Sequence, residues 1–366
     1  MKIIFNSTIF FNQRFGGISR YFINLAEYFE QNNIDFSIVS PIYKNLYLNK
    51  LKKKFIKGVF FPRYPTPDFL VNLNNQIANR IIEKENPDII HDTYYSENLL
   101  KFKDKKRVLT IHDLIHEKFP KYFGNDNSEK LIMKKKIIHN SDFFICVSKK
   151  TKNDFLEYYK VPEDRVKVIY HGSDHLNNID GKNINIEQKK PYILFIGARE
   201  KYKNFNLLAK AFSTSVFLKK NLEIICFGGG KFSKKELEFF IKLNLEENIR
   251  QISSDDKYLK SLYKNASLLI IPSSTEGFGI PLIEGMSMKC PILASNIEVF
   301  KEIGKNKVHY FQDNSCEDLT FMMEKIIFSK KFQENYLEDA FEESKKFKWS
   351  TCGSEVLSVY NKLIKN

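Results

Sequence analysis

Two glutamates, Glu276 and Glu284, stand with seven residues between them in the segment LLIIPSSTEGFGIPLIEGMSMK at 268–289. The segment reads as a buried strand, a glycine-containing loop and a helix entered at Pro281, a residue suited to a first helical turn. In open α/β sheets, ligands bind in the crevice beyond the carboxyl ends of the strands. Gly277 and Gly279 let backbone approach a ligand closely, and amides at a helix start suit phosphate oxygens. Carboxylates accept hydrogen bonds from hydroxyls, so the pair suits a ligand with hydroxyls at both ends and phosphate between. The competing reading makes Glu276 a surface charge and Glu284 a carboxylate favoured by the helix dipole.

A second constellation lies upstream. The segment PYILFIGAREKYKNF sets Gly197 at a strand end and follows it with Arg199, Lys201 and Lys203. Arginine offers a planar fork and lysine a point charge, and both suit a diphosphate. A solvated basic loop is the alternative. His112 and His116 stand four residues apart, but no His-Glu-x-x-His accompanies them and no third ligand is evident. Gly228, Gly229 and Gly230 follow a strand without matching a dinucleotide fingerprint and suit a tight turn.

The elements that must hold these residues are short apolar runs alternating with stretches of helical period, the pattern of strand-helix units and a parallel sheet buried on both faces. Strands are predicted over 2–5, 34–39, 88–91, 107–111, 143–147 and 166–169, with helices near 18–31, 69–85, 128–139 and 149–158. After the polar stretch 173–190, which reads as an exposed linker, the alternation restarts over 191–197, 222–228, 268–274 and 291–295. The expectation is an α/β chain of two doubly wound domains: 1–175, a linker at 176–190, 191–345, and a helical tail over 346–366 that need not close on its own domain.

These motifs, in this order, resemble glycosyltransferase family 4. The resemblance rests on EGFGIPLIE with its preceding PSS, the Gly-Ala-Arg-x-x-x-Lys-Asn segment, FGGISRY after the first strand, HDTYY at 91–95, TIHDLIHE at 110–117, VSKKTKNDF at 147–155, VIYHG at 168–172 and the terminal FKWS…VY. It covers nearly the whole chain. It implies the GT-B fold, two facing Rossmann-like domains with a cleft between them, and retaining transfer from a nucleotide-sugar donor without metal or other cofactor. By matching position it implies that Arg199 and Lys203 neutralise the donor diphosphate, that Glu276 binds hydroxyls of the transferred sugar, and that Glu284 holds the ribose. Gly277, Phe278 and Gly279 would offer backbone contacts. Gly16 and Gly17 would lie near the phosphates from the other domain, and His112 would contact donor sugar or acceptor, oriented by Asp113. Commoner members carry the arginine five residues before the lysine; here the spacing is four.

The sequence contains no Asp-x-Asp, the usual ligand of a divalent ion in metal-dependent transferases. Cations and helix-end amides would then stabilise the leaving diphosphate, each charge-assisted bond contributing roughly 1.5–3 kcal/mol. With the retention that the resemblance implies, front-face transfer is predicted, in which a departing phosphate oxygen takes the acceptor proton.

Composition sets the outer bounds. At 366 residues, 43% hydrophobic and 14% aromatic, the chain suits two packed domains. A net charge of +14 favours anionic partners, although lysine is spread along the chain and part of the excess suits solvated faces. Five cysteines without a Cys-x-x-Cys, two of them in the apolar runs FFICVS and IICFG, suit reduced core residues in a cytoplasmic protein. The opening MKIIFNSTIFF resembles a first strand more than a signal peptide. Two segments, 44–63 with Lys50, Lys52, Lys53, Lys54, Lys57 and Arg63, and 130–139 (KLIMKKKIIH), interleave basic and apolar residues, which suits peripheral contact with an anionic membrane. Both fall in the acceptor domain of the family, pointing to a glycan or lipid-linked acceptor in surface polysaccharide or lipopolysaccharide assembly, with GDP-mannose or a UDP-hexose as donor. The rival readings are a GT-B-fold sugar-nucleotide epimerase and a basic nucleic-acid-binding or DNA-glycosylating protein. Nucleic acid is not an expected partner, because no recognised motif for it appears.

Overall fold

The computed structural model describes residues 1–62, 68–124, 127–177, 179, 190–199 and 201–365. They form two compact units: Met1–His171 with Trp349–Asn366, and Gly172–Lys348. Most of the expected linker, residues 178 and 180–189, lies outside the described residues.

Unit 1 contains β1 (Ile3–Phe5), β2 (Phe36–Tyr43), β3 (Ile56–Phe60), β4 (Ile89–Asp92), β5 (Lys106–Ile111), β6 (Phe143–Cys146) and β7 (Val166–Val168). They pair in parallel in the order β3-β2-β1-β4-β5-β6-β7. The interior strands read IIF, IIHD and FFIC because both faces are covered by helices, so no polar alternation survives. The edge strand β3 was not expected from sequence. Its residues IKGVF are half exposed, with Val59 and Phe60 open to solvent, and so carry no buried-strand signal. The basic residues around it reach back to the domain: Lys52 pairs with Glu30 at 2.8 Å and Lys57 with Glu85 at 3.5 Å. Arg63 lies outside the described residues.

Unit 2 contains β8 (Tyr192–Ile196), β9 (Glu223–Phe227), β10 (Ile249–Ile252), β11 (Leu268–Ile271), β12 (Ile292–Ser295) and β13 (His309–Phe311), parallel in the order β10-β9-β8-β11-β12-β13. The edge strands β10 (IRQI) and β13 (HYF) also escaped the sequence reading, being short and partly polar. Residues 172–175, expected with the first domain, belong to unit 2. Cys146 and Cys226 are free and buried in β6 and β9.

The helix Trp349–Lys365 belongs to unit 1. Its buried positions Trp349, Cys352, Val356, Val359 and Tyr360 recur at helical spacing and join the cluster of Phe5, Phe22 and Phe29. Gly353 lies against the helix Gly17–Gln31: a Cβ there would stand 2.3 Å from the Tyr28 ring. Gly353→Leu is therefore expected to cost about 2 kcal/mol of stability through overpacking, read as a lower urea midpoint. An unchanged midpoint would show that this helix is not seated as described.

Candidate functional site

In unit 2 the strand order reverses between β8 and β11, which lie side by side with β9 and β12 on their far edges. Loops leaving the carboxyl ends of β8 and β11 therefore open at a topological switch point. The two loops are tied together where Ser274 N donates to Tyr202 O at 2.9 Å. That tie sets Lys203 against Glu276, with Nζ 2.5 Å from Oε1, and Ser273 Oγ donates to the same oxygen at 2.8 Å. The side chains keep 19% and 12% exposure, so the pair remains reachable from solvent.

Gly279 turns the loop into the helix Ile280–Ser287 at φ +100°, a left-handed conformation that a side chain would strain, and a Cβ there would also stand 2.8 Å from the Phe300 ring. The Phe278 side chain is buried against Phe347, ring centroids 6.1 Å apart, so what it can offer a ligand is backbone.

Arg199 is not turned toward the loop of Lys203 and Glu276. Its Nε donates to Glu236 at 2.6 Å, NH1 to Gly228 O at 3.2 Å, and NH2 to Gly230 O at 3.0 Å and Lys231 O at 3.2 Å. The guanidinium also lies 4.7 Å over the Phe232 ring. Gly228, Gly229 and Gly230 hold consecutive positive φ values of 80°, 70° and 75°, which bend their carbonyls around this cation. Arg199 was expected to neutralise a diphosphate; in this structure its donors hold the glycine loop. Glu284 also sits deeper than expected. It is buried, accepts from Tyr263 Oη at 2.6 Å, and its other oxygen lies 3.1 Å from His175 Nε2, so both oxygens have protein neighbours where ribose hydroxyls were expected.

Of the predicted residues in this unit, the structure thus joins Lys203 with Glu276 and gives Arg199 and Glu284 separate partners. Ser273, Tyr263, His175 and Glu236 were missed. Only Ser273 carried a local signal, as part of the PSS preceding Glu276; the others arrive from elements distant in sequence.

In unit 1, Gly16 precedes the helix Gly17–Gln31 and its carbonyl accepts from Arg20 N and Ser19 Oγ, each at 3.0 Å. His112 leaves the end of β5, with its ring 5.3 Å from Tyr21 and stacked 6.0 Å from His171. Its buried Nε2 has no hydrogen-bond partner. Asp113 does not orient it: Asp113 Oδ1 accepts from Ile115 N at 3.2 Å and so caps the following turn. His91, one strand away, has Nδ1 2.5 Å from Tyr360 Oη and Nε2 2.8 Å from Thr110 Oγ1. The segment 130–139 is part of the helix Asn127–His139, whose Lys134 points inward and pairs with Glu117 at 2.6 Å.

Comparison with known proteins settles the family. Residues 15–175 match the model of Glycosyltransferase Family 4, and residues 178–343 match that of Glycosyl transferases group 1. The chain is 30% identical over 369 residues to an uncharacterized glycosyltransferase of Methanocaldococcus jannaschii, covering 95% of each. The chain belongs to glycosyltransferase family 4. It is also 29% identical over 231 residues to the O-antigen chain mannosyltransferase RfbU of Salmonella typhimurium, a match spanning 58% of this chain and 62% of that protein. Among solved structures, Anabaena HepE in complex with UDP and glucose superposes with a TM-score of 0.77 at 16% identity, covering 99% of this chain and 100% of that one, a likeness of fold. The two parallel-sheet units are those of a GT-B glycosyltransferase.

The buried imidazoles of this transferase give its first unit a pH dependence. Burial lowers His91 to about 3, helped by His112; burial lowers His112 to about 3, helped by Lys134; and burial, then His112, takes His171 well below its usual value. Unfolded histidines take up protons near pH 6.5, so the folded state has this stability in full above about 6.5 and loses it as pH falls toward 3. Asp92 acts in the opposite sense: burial, against the pull of Arg107, raises it to about 6, so between about 6 and 3.8 the folded carboxyl binds its proton first. One carboxyl does not outweigh three imidazoles. Thermal melts from about pH 7.5 down to about 4.5 should show a falling Tm, with a flatter slope for His91→Gln. A Tm that rises on acidification would contradict the buried neutral state.

Proposed function

We propose that this glycosyltransferase is a retaining, metal-independent hexosyltransferase that moves a hexose from a nucleotide diphosphate sugar, GDP-mannose or a UDP-hexose, to a glycan or lipid-linked acceptor in surface polysaccharide assembly. The observation that carries the reading is the Lys203–Glu276 pair, lodged at the switch point of unit 2 beside a left-handed glycine and a helix start. A mannosyltransferase of O-antigen chains among the relatives, and a fold neighbour holding UDP and glucose, support the donor class.

The chemistry assigns each group one task. Lys203 exchanges its carboxylate partner for diphosphate oxygens as the donor enters, and Glu276, released, accepts hydrogen bonds from hydroxyls of the transferred sugar. Amides of the Gly277–Gly279 turn add donors to the phosphates. The bond from the anomeric carbon to phosphate breaks, the bond to the acceptor oxygen forms on the same face, and the acceptor proton passes to the leaving phosphate oxygen. Arg199 serves indirectly by fixing the glycine loop that follows β9. The lack of an Asp-x-Asp supports transfer without a divalent ion.

Lys203→Ala and Glu276→Ala should each leave Tm nearly unchanged and weaken transfer from the donor by about two orders of magnitude, as loss of one preorganised charge contact does. Arg199→Ala, by contrast, should lower Tm first, because its removal strands Glu236 and three carbonyls. Chelator should leave the rate intact. Parental turnover in Glu276→Ala, or abolition by chelator, would sink the reading.

Among the described residues no helix is long and apolar enough to cross a membrane. Peripheral association is supported by Phe69, Leu73 and Ile77, exposed at four-residue intervals on the helix Asp68–Glu85, together with exposed Val59, Phe60 and Phe61. The protein should co-float with anionic vesicles and lose that property in Phe69→Asp/Leu73→Asp; recovery of parent only in the soluble fraction would remove the membrane from the account.

A further inference from the structure

The chain enters unit 2 at Gly172 and leaves it after Lys348. Entry and exit are tied to each other where Ser173 N donates to Phe347 O at 3.0 Å. Each is then fastened to one side of the Gly279 turn. From the exit, the Phe347 ring meets the Phe278 ring edge to face, centroids 6.1 Å apart. From the entry, His175 in the short helix Asp174–Leu176 brings Nε2 to 3.1 Å from Glu284 Oε1. The helix Asp256–Asn265 backs both partners: Tyr263 Oη donates to Glu284 Oε2 at 2.6 Å, and Lys260 Nζ donates to the entry segment at Ile179 O, 2.8 Å away.

The turn depends on such support. The helix Ile280–Ser287 starts without a side-chain cap, and Gly279 ahead of it is held at φ +100°. Where the amides of the turn point is therefore decided by what grips the residues on either side, Phe278 ahead of the glycine and Glu284 in the helix. The His175 and Glu284 side chains are only 5% and 3% exposed, so a replacement that breaks their contact leaves a buried carboxylate short of a partner. Backbone donors serve an anion only when held within about 0.5 Å of their productive geometry. Loosening of this grip is accordingly felt in phosphate binding as well as in folding.

We infer that His175 and Phe347, one from each end of unit 2, are positioning residues for the proposed donor site, holding the amides of the Gly277–Gly279 turn where they meet the donor's phosphates. The inference rests on the donor reading above, and it assigns neither residue a contact with the donor. It also gives the entry and exit segments a part in the site, because a shift of the turn is passed to the residues by which the chain enters and leaves unit 2.

The test titrates GDP and UDP into the full chain by calorimetry, with urea midpoints read in parallel. The nucleotide that binds the parent should bind His175→Ala and Phe347→Leu about tenfold more weakly, because the phosphate donors are displaced rather than lost. His175→Gln, whose amide reaches toward the same Glu284 oxygen, should return to near-parental affinity. Leu319→Ala, in the core cluster of Phe195 and Ile224, supplies a loss of stability away from the turn and should lower the midpoint while leaving affinity unchanged. Parental affinity in both His175→Ala and Phe347→Leu overturns the inference. So does a Leu319→Ala protein that loses affinity as far as they do, since stability alone then accounts for the effect, and so does His175→Gln binding no better than His175→Ala. A parent that binds neither nucleotide overturns the donor reading itself, and this inference with it.

Discussion

The switch point at the carboxyl ends of the paired strands β8 and β11 is the constraint on which the proposed donor site depends. Parallel neighbours whose connections leave in opposite directions cannot have their carboxyl-end loops packed over one another, so a crevice stays open there. Everything proposed for the donor is fitted to that opening: a backbone bond from Ser274 to Tyr202 draws the loops edge to edge, and a cation from one meets a carboxylate from the other. Two opposite charges, partly desolvated and within 2.5 Å, hold each other in position there.

Burial decides which charged residues can play such a part. Arg199, with a side chain only 3% exposed and its nitrogens directed at carbonyls and Glu236, behaves as a fastener. Glu284, equally buried, links Tyr263 on one helix to His175 near the start of unit 2. Lys203 and Glu276 lie at the surface of the same crevice. Depth thus divides residues of one motif: Arg199 and Glu284 are enclosed by protein partners, while Lys203 and Glu276 stay reachable from solvent.

Much of this was legible in the sequence because its signals are local. Strands such as IIF, FFIC and LLII announce parallel sheets buried on both faces, and the Pro281 helix start with its preceding glycines marks the loop. What was not legible depends on partners far along the chain. Edge strands β3, β10 and β13 lack continuous apolar runs because only part of each is covered. Arg199 in GAREKYKNF looks like a free cation until Glu236 and three glycine-loop residues, some thirty positions on, close around it. The basic helix at 130–139 looks like a solvated or membrane-facing surface until Glu117 is found beside Lys134. A cavity in unit 1 joins the helix Thr8–Asn12 and Tyr94 and Tyr95 after β4 with a helix more than thirty residues later, and no window of sequence contains it.

The central claim is that donor nucleotide sits over the β8 and β11 loops. Hydrogen-deuterium exchange on the full chain, with and without saturating GDP or UDP, measures this most directly, since amides that cradle a ligand exchange more slowly. The account predicts that one of the two nucleotides slows exchange in peptides spanning residues 197–204 and 273–284 above all others in unit 2. Protection confined to other segments, with these two unchanged at saturation, would contradict it.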